Sequence, residues 1–273
     1  MSDGEFVPLV DTTREELRAR IGLAGWRFVD VVRGADPASR PRGSQWNVQQ
    51  ITAHVLTVAR RYRDVAHGND FHRAAYPAEL PLINRAELDA AMAPMGDLTA
   101  ELRDLEGELA AFFDAVCDDG PRYPSHAGAV LDGVTLQTNW LGELLLHGSD
   151  VARAGKESWE VCERDMLLIA RGLMQFGPAF LRRGTPTDTH LSVAFHLPQA
   201  RPYLILIGDG AAQFRPRRAD DRPDAVLRAP ASTFASLLYQ RIGPLTAARR
   251  GLLITGGRRP WVALTLQSCF EPP

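Results

Sequence analysis

Apolar residues recur at helical spacing through the first half of the chain. Leu17, Ile21, Ala24 and Phe28 lie three to four residues apart, behind Thr12 and Glu15 in a capping-box relation. The turn-rich stretch around Pro37, Pro41 and Gly43 ends that helix. A second helix is expected from about Trp46 to His67, stopping at Gly68, with Ile51, Val55, Val58 and Tyr62 on its apolar face. A short helix over Asn84 to Met92 is cut off by Pro94 and Gly96. Asp97 can then cap a longer helix with the stripe Leu98, Leu102, Leu105, Leu109, Phe112 and Val116. A further helix runs from about Val134 to Ala154 and closes at Gly155. Four long amphipathic helices joined by turn-rich loops predict an antiparallel bundle.

The period changes after residue 160. One more helix, Arg164 to Leu181, leads into strict alternation, with Leu191, Val193, Phe195 and Leu197 set against Ser192, Ala194 and His196, which predicts a strand. Tyr203–Ile207 and Gln213–Arg217 flank Gly208-Asp209-Gly210 as a hairpin. A strand near Val226, a helix over Ser232–Gln240 and strands at Leu252–Thr255 and Trp261–Leu266 follow. The expectation is a multidomain α and α+β chain: a four-helix bundle over 1–160, then a smaller α+β domain over 161–273.

Composition adds exclusions. The chain has 273 residues, 45% hydrophobic and 23% charged, with a formal net charge of −2. That balance gives no electrostatic reason to expect a nucleic acid or an anionic membrane as partner. Of its 31 basic residues only Lys156 is a lysine, the usage of a GC-rich bacterial, for instance actinobacterial, genome. Cys117, Cys162 and Cys269 are odd in number and far apart, so neither a disulfide framework nor a Cys-x-x-Cys site is available. No apolar run approaches the ~20 residues of a membrane helix, and the acidic start has no signal-peptide pattern. A reduced, cytoplasmic protein is expected.

Polar residues stand out on two of the apolar seams. Leu136, Trp140, Glu143, His147, Asp150 and Ala154 share one helix face by their 4, 3, 4, 3, 4 spacing. The apolar members mark that face as inward, where a carboxylate without a partner costs several kcal/mol. His54 points inward on its own helix, between Ile51 and Val58. Glu143 and His147 at i, i+4 can share one ion, with His54 supplying a third ligand from across the bundle. Imidazole and carboxylate donors suit zinc, and three protein ligands leave positions open for water or substrate. A buried His–Glu hydrogen-bond network without metal accounts for the same spacing.

The stretch Trp46-Asn-Val-Gln-Gln-Ile-Thr-Ala-His54-Val, taken with Gly142-Glu143-Leu-Leu-Leu-His147-Gly-Ser-Asp150-Val-Ala-Arg-Ala154, resembles the mycothiol-dependent maleylpyruvate isomerase family. In the second half, Asp224-Ala-Val-Leu-Arg-Ala-Pro-Ala-Ser232-Thr-Phe, Leu237-Leu-Tyr-Gln-Arg241 and Gly251-Leu-Leu-Ile-Thr-Gly256 look like the family's sterol-carrier-like domain. The resemblance implies a DinB-like metal-binding bundle with His54, Glu143 and His147 as ligands. It implies Asp150 in support one turn beyond the second His, and Arg241 near the active site. It also implies mycothiol as thiol cosubstrate. Two positions depart from the family: Ser149 stands where many members have Trp, and Gln240 replaces the Gly that often precedes the Arg.

A coordinated thiol is deprotonated near neutral pH, which makes a nucleophile without a protein cysteine. The resemblance therefore implies thiol-dependent cis–trans isomerisation of maleylpyruvate or of a related unsaturated acid or natural-product intermediate. An Arg such as Arg241 can pair a substrate carboxylate. A thiol S-transferase that keeps the adduct, and a non-enzymatic small-molecule or lipid-binding protein, are the alternatives. Trp46 is expected to pack at its helix start, and His67, His72 and His126 to be solvated in loops. His190 and His196 share a strand face and make a second site conceivable. Gly155-Lys156 lacks the rest of a phosphate-binding loop, and Gly208-Asp209-Gly210 is a turn.

Overall fold

The computed structural model describes residues 6–116 and 121–272. Cys117 and the acidic start, Met1 to Glu5, lie outside the described residues. The first helix, α1 (Arg14–Gly34), is capped by Thr13, whose hydroxyl accepts from the Glu16 N–H. The cap therefore sits one residue later than the Thr12–Glu15 pairing expected. Thr13 holds the extended backbone a cap needs, while the Thr12 hydroxyl donates to the Glu16 carboxylate. α2 (Val48–Ala66) begins at a capping box: the Gln50 N–H donates to Asn47 Oδ1 and the Asn47 N–H donates to Gln50 Oε1. A short helix, α3 (Leu80–Ala91), starts earlier than expected, after a 3-10 turn at Pro77.

α4 (Met95–Ala115) starts at Pro94, so Asp97 lies in the first turn rather than at the cap. There its carboxylate meets the positive end of the helix dipole. The apolar stripe of α4 also drifts: Phe113, not Phe112, is the buried aromatic. A straight helix repeats every 3.6 residues, so a 4,3 spacing slips off the core face by the fourth turn. A two-residue strand pair, β1 (Tyr123–Pro124) and β2 (Val130–Leu131), then leads into α5 (Gly133–Gly155). α5 ends with Lys156 in the left-handed region at φ 59°, a position more often given to glycine.

α1, α4, α2 and α5 pack side to side in that ring order, and α3 covers the outside of α2. This is the predicted four-helix bundle. α6 (Glu163–Phe176) packs on α5 and on α7 (Ala231–Leu238), and a 3-10 turn follows it over Gly177–Phe180. The apolar core continues from the bundle through α6 into the second half.

That half is a five-stranded sheet in the order β5-β4-β3-β6-β7. β3 (Leu191–His196), β4 (Tyr203–Gly208) and β5 (Ala211–Pro216) form an antiparallel meander. Its tight turn has Asp209 at φ 53° and Gly210 at φ 72°, the conformation a two-residue hairpin loop requires. β6 (Ala225–Arg228) runs parallel to β3, with α7 crossing after it, α8 (Pro244–Arg249) next and β7 (Leu253–Gly256) on the edge. The strand expected at Trp261–Leu266 is a 3-10 helix, Pro260–Cys269. Its burial does not alternate: Leu266 and Phe270 face the core while Trp261 and Leu264 are exposed, a spacing of about four that belongs to a helix.

The N-terminal segment ties the halves together. The Tyr203 hydroxyl donates to the Val7 carbonyl at 2.7 Å and the Arg201 N–H to the Leu9 carbonyl at 2.9 Å. Arg164 on α6 grips the Glu16 carboxylate of α1 from two guanidinium nitrogens, at 2.7 and 2.6 Å. The hydrogen bond from Arg164 leads the causes that lower the Glu16 carboxyl from 4.5 to about 2. A depressed carboxyl pKa contributes stability above the unfolded value and loses it as pH falls through the folded value. Acid unfolding is therefore expected to cost about 1 kcal/mol from this group between pH 4.5 and 2, because water screens the pair. Arg164→Ala should flatten that part of the stability–pH curve; an unchanged curve would count against the assignment.

Candidate metal centre

His54 lies in the second turn of α2, 5% exposed, its carbonyl accepting from the Thr57 hydroxyl at 2.7 Å. Across the bundle α5 presents Glu143 and His147 one turn apart. α5 is anchored at its start by Asp132, whose carboxylate accepts from the Thr135 N–H at 2.6 Å. One ligand atom from each of the three residues falls within 4.8 Å of the others. Glu143 Oε2 is 3.6 Å from His54 Nε2 and 3.4 Å from His147 Nε2. Both separations exceed the 2.7–3.2 Å of a good N–H···O bond. Glu143 Oε2 and His54 Nδ1 are buried and have no hydrogen-bond partner in the structure. Buried polar atoms are ordinarily paired, so an unpaired carboxylate oxygen flanked by two imidazole nitrogens marks a place for a cation. Zinc bonds of about 2.0–2.2 Å fit donors at this separation.

The charge states of His54 and Glu143 are those of ligands, while His147 must give up a proton to bind an ion. Burial lowers the pKa of His54, so it is a neutral imidazole. Burial pushes the Glu143 carboxyl up, but His147 and His54 outweigh it and hold the group ionised. Burial also opposes the charged form of His147, yet the carboxylates of Asp150 and Glu143 beside it raise its pKa overall. Neutral imidazole and carboxylate are the ligating forms.

Asp150 stands behind His147, not among the three donors. Its Oδ2 lies 3.2 Å from His147 Nδ1, and its Oδ1 accepts from Arg241 at 2.8 Å and from Arg153. Arg241 also donates to the Leu146 carbonyl at 3.3 Å, so it reaches back from the turn after α7 onto α5. The residue before it, Gln240, sits at φ 54°. A left-handed position is one that favours glycine; Gln240 takes it here and donates to the Phe270 carbonyl at 3.0 Å. Asp150→Asn removes the carboxylate that orients both His147 and Arg241. Zinc affinity is expected to fall about 10–100-fold, measured by competition with a chromophoric chelator. Unchanged affinity would remove Asp150 from the site.

The cluster opens into a cavity of about 330 Å³. Trp46, Tyr62, Phe176 and Tyr239 contribute apolar walls, and Arg61, His126 and Arg241 line it as well. Trp46 does more than pack at a helix start: its ring centroid lies 4.8 Å from that of His54 and 6.5 Å from that of His147. His126 is not solvated. It lines the cavity, and burial lowers its pKa from 6.5 to about 4. Ser149 is not among the cavity-lining residues; Trp159 instead lies against Gly148 and donates to the Leu145 carbonyl at 3.0 Å.

His190 and His196 lie at opposite ends of β3 and form no ligand cluster; among the described residues, only His54, Glu143 and His147 do. Arg61 carried a readable signal, standing seven residues and two turns after His54 on the same face. His126 and Tyr239 carried none, because they come from a loop and from the other half of the fold.

Residues 18–152 match the family model described as the mycothiol maleylpyruvate isomerase N-terminal domain. The crystal structure of a mycothiol-dependent maleylpyruvate isomerase superposes with a TM-score of 0.56 over 98% of this chain and 99% of that chain, at 14% identity. A mutant of the mycothiol-dependent maleylpyruvate isomerase, also a crystal structure, superposes with the same TM-score and coverage at 13% identity. No curated protein sequence matches the chain. The bundle thus matches the mycothiol maleylpyruvate isomerase N-terminal domain, and the chain shares the fold of a mycothiol-dependent maleylpyruvate isomerase along its length.

Proposed function

We propose that the protein is a metal-dependent isomerase that uses a low-molecular-weight thiol, mycothiol, to convert a cis-unsaturated acid of the maleylpyruvate type to its trans isomer. The observation that carries this reading is the buried, unpaired Glu143 Oε2 between two imidazole nitrogens at the wall of a 330 Å³ cavity. His54, Glu143 and His147 would hold a divalent ion, with zinc preferred by the donor set. Such an ion supplies Lewis acidity that favours the thiolate form of a bound thiol. Asp150 orients His147, and Arg241, held by Asp150 beside the cluster, presents its remaining N–H groups to a substrate carboxylate. Trp46, Tyr62, Phe176 and Tyr239 exclude water, which strengthens the charge interactions of a bound thiolate and carboxylate with the residues around them.

The reaction is balanced without a redox partner. A carbon–sulfur bond forms at the activated double bond and the adjacent carbon takes a proton. Rotation follows about the new single bond, and loss of a proton from the adjacent carbon with departure of the thiolate restores the alkene in trans geometry and regenerates the thiol. The bundle, 1–160, supplies the ligands and the α+β part, 161–273, supplies Arg241. Incubation of zinc-loaded protein with mycothiol and a cis-unsaturated acid should give an acid of unchanged mass. An accumulated thiol adduct would make the protein a transferase. Equal turnover by metal-free protein would defeat the metal-dependent reading.

A further inference from the structure

His126 is caught between two donors. Its Nδ1 accepts from the Ala74 backbone N–H at 3.0 Å, and its Nε2 faces Arg61 Nη1 at 3.3 Å. A neutral imidazole has one N–H and one acceptor nitrogen, so it cannot accept from both. The Ala74 N–H is fixed by the backbone, and the next residue clamps the same segment: the Ala127 N–H donates to the Ala74 carbonyl at 2.8 Å. The acceptor is therefore Nδ1, and the proton sits on Nε2, pointing at the guanidinium. Burial keeps the ring neutral, since its pKa is lowered to about 4. Two N–H donors thus converge at the cavity wall with no acceptor between them.

The surroundings hold this arrangement in place. Arg61 donates to Glu87 through Nε at 2.8 Å and to Asn84 Oδ1 through Nη2 at 2.7 Å, so the fork is locked with Nη1 toward His126. The turn that carries His126 has Ala127 at φ 56°, a left-handed conformation that costs an alanine of order 1 kcal/mol. Arg61 stands two turns beyond His54 on one face of α2, about 10 Å along the axis. An elongated acid can therefore reach from this pair of donors to the cluster of His54, Glu143 and His147.

We propose that Arg61 and His126 form an anion subsite of the cavity that receives a carboxylate of the substrate, two helical turns from the candidate metal cluster. With Arg241 at the cluster itself, the cavity then recognises an acid that carries a carboxylate at each end. The inference rests on the reading of this cavity as the place where an unsaturated acid reacts, and it names residues for that acid's distal carboxylate. A carboxylate oxygen set between Nη1 and Nε2 accepts from both and removes the donor–donor conflict.

The test compares a seven-carbon cis-2-enedioate, long enough to reach from the cluster toward the subsite, with its distal monoamide, which lacks that carboxylate, by calorimetric titration of zinc-loaded and of chelator-treated protein. The wild-type protein should bind the dianion at least about tenfold more tightly than the monoamide, the worth of one charge-assisted hydrogen bond. His126→Asn keeps an acceptor for the Ala74 N–H and removes the Nε2 donor. That variant and Arg61→Lys should both bring the preference close to parity while unfolding as the wild type does. In the wild type, the His126 ring resonances should shift on adding the dianion. A preference untouched in both variants, or ring resonances that do not respond, would overturn the subsite. So would an equal response to inorganic phosphate at the same concentration, which would make it unselective for carboxylates. A wild-type protein that turns over the acid but shows no preference for the dianion sinks the subsite alone; a wild-type preference without turnover sinks the reaction alone.

Discussion

Glu143→Gln is expected to abolish zinc binding and turnover together while leaving the fold in place. Glutamine keeps the volume of the side chain, so the packing of α5 against α2 should persist. What it lacks is the negative charge that sits between His54 and His147. Losing an orienting residue behind a ligand costs about 10–100-fold in metal affinity, and losing the ligand itself should cost more. A second signature follows from the electrostatics. The interaction with Glu143 is one of the causes that raise the His147 pKa, so that value should fall in the metal-free variant. Zinc content by elemental analysis, turnover by product mass and the His147 titration by NMR read these effects. Retention of stoichiometric zinc with normal turnover would remove Glu143 from the ligand set.

Trp140→Ala is expected to have the largest effect on stability. Trp140 is 1% exposed, the largest fully buried side chain, on the same face of α5 as Glu143 and three residues before it. Its ring meets Tyr62 of α2 with centroids 6.0 Å apart, so it joins the two helices that carry the candidate ligands. Truncating a buried tryptophan costs about 3–5 kcal/mol through lost burial and an unfilled cavity. For a chain of this size that lowers Tm by roughly 10 °C. Trp140→Phe should recover much of the loss. The zinc affinity of Trp140→Ala should fall as well, because the relative placement of α2 and α5 is what brings Glu143 to His54. A Tm within a degree or two of the wild type would mean that α2 and α5 do not depend on this contact.

Much of this was readable before any coordinates. The bundle helices follow from apolar spacing, and inward polar residues on two seams singled out His54, Glu143 and His147. That reading works because an α-helix converts a spacing of three or four into a shared face, whatever surrounds it. Where local rules compete, the chain yielded less. Thr12 and Thr13 both offer a capping hydroxyl, and only the backbone at Thr13 decides between them. The stretch Trp261–Leu266 is apolar enough for a strand, but it packs with a helical period and never enters the sheet.

The sequence by itself determined the helices, the sheet-forming strands and the set of donors that face the bundle interior, because periodicity and residue chemistry are local. Only the tertiary structure decided what those donors meet. It set α2 against α5 so that Glu143 lies between two imidazoles, folded Arg241 from the second half onto Asp150, and brought His126 from a loop to Arg61. Each of these contacts joins residues tens of positions apart, and their distances depend on how whole elements pack. Spacing along the chain carries no record of that.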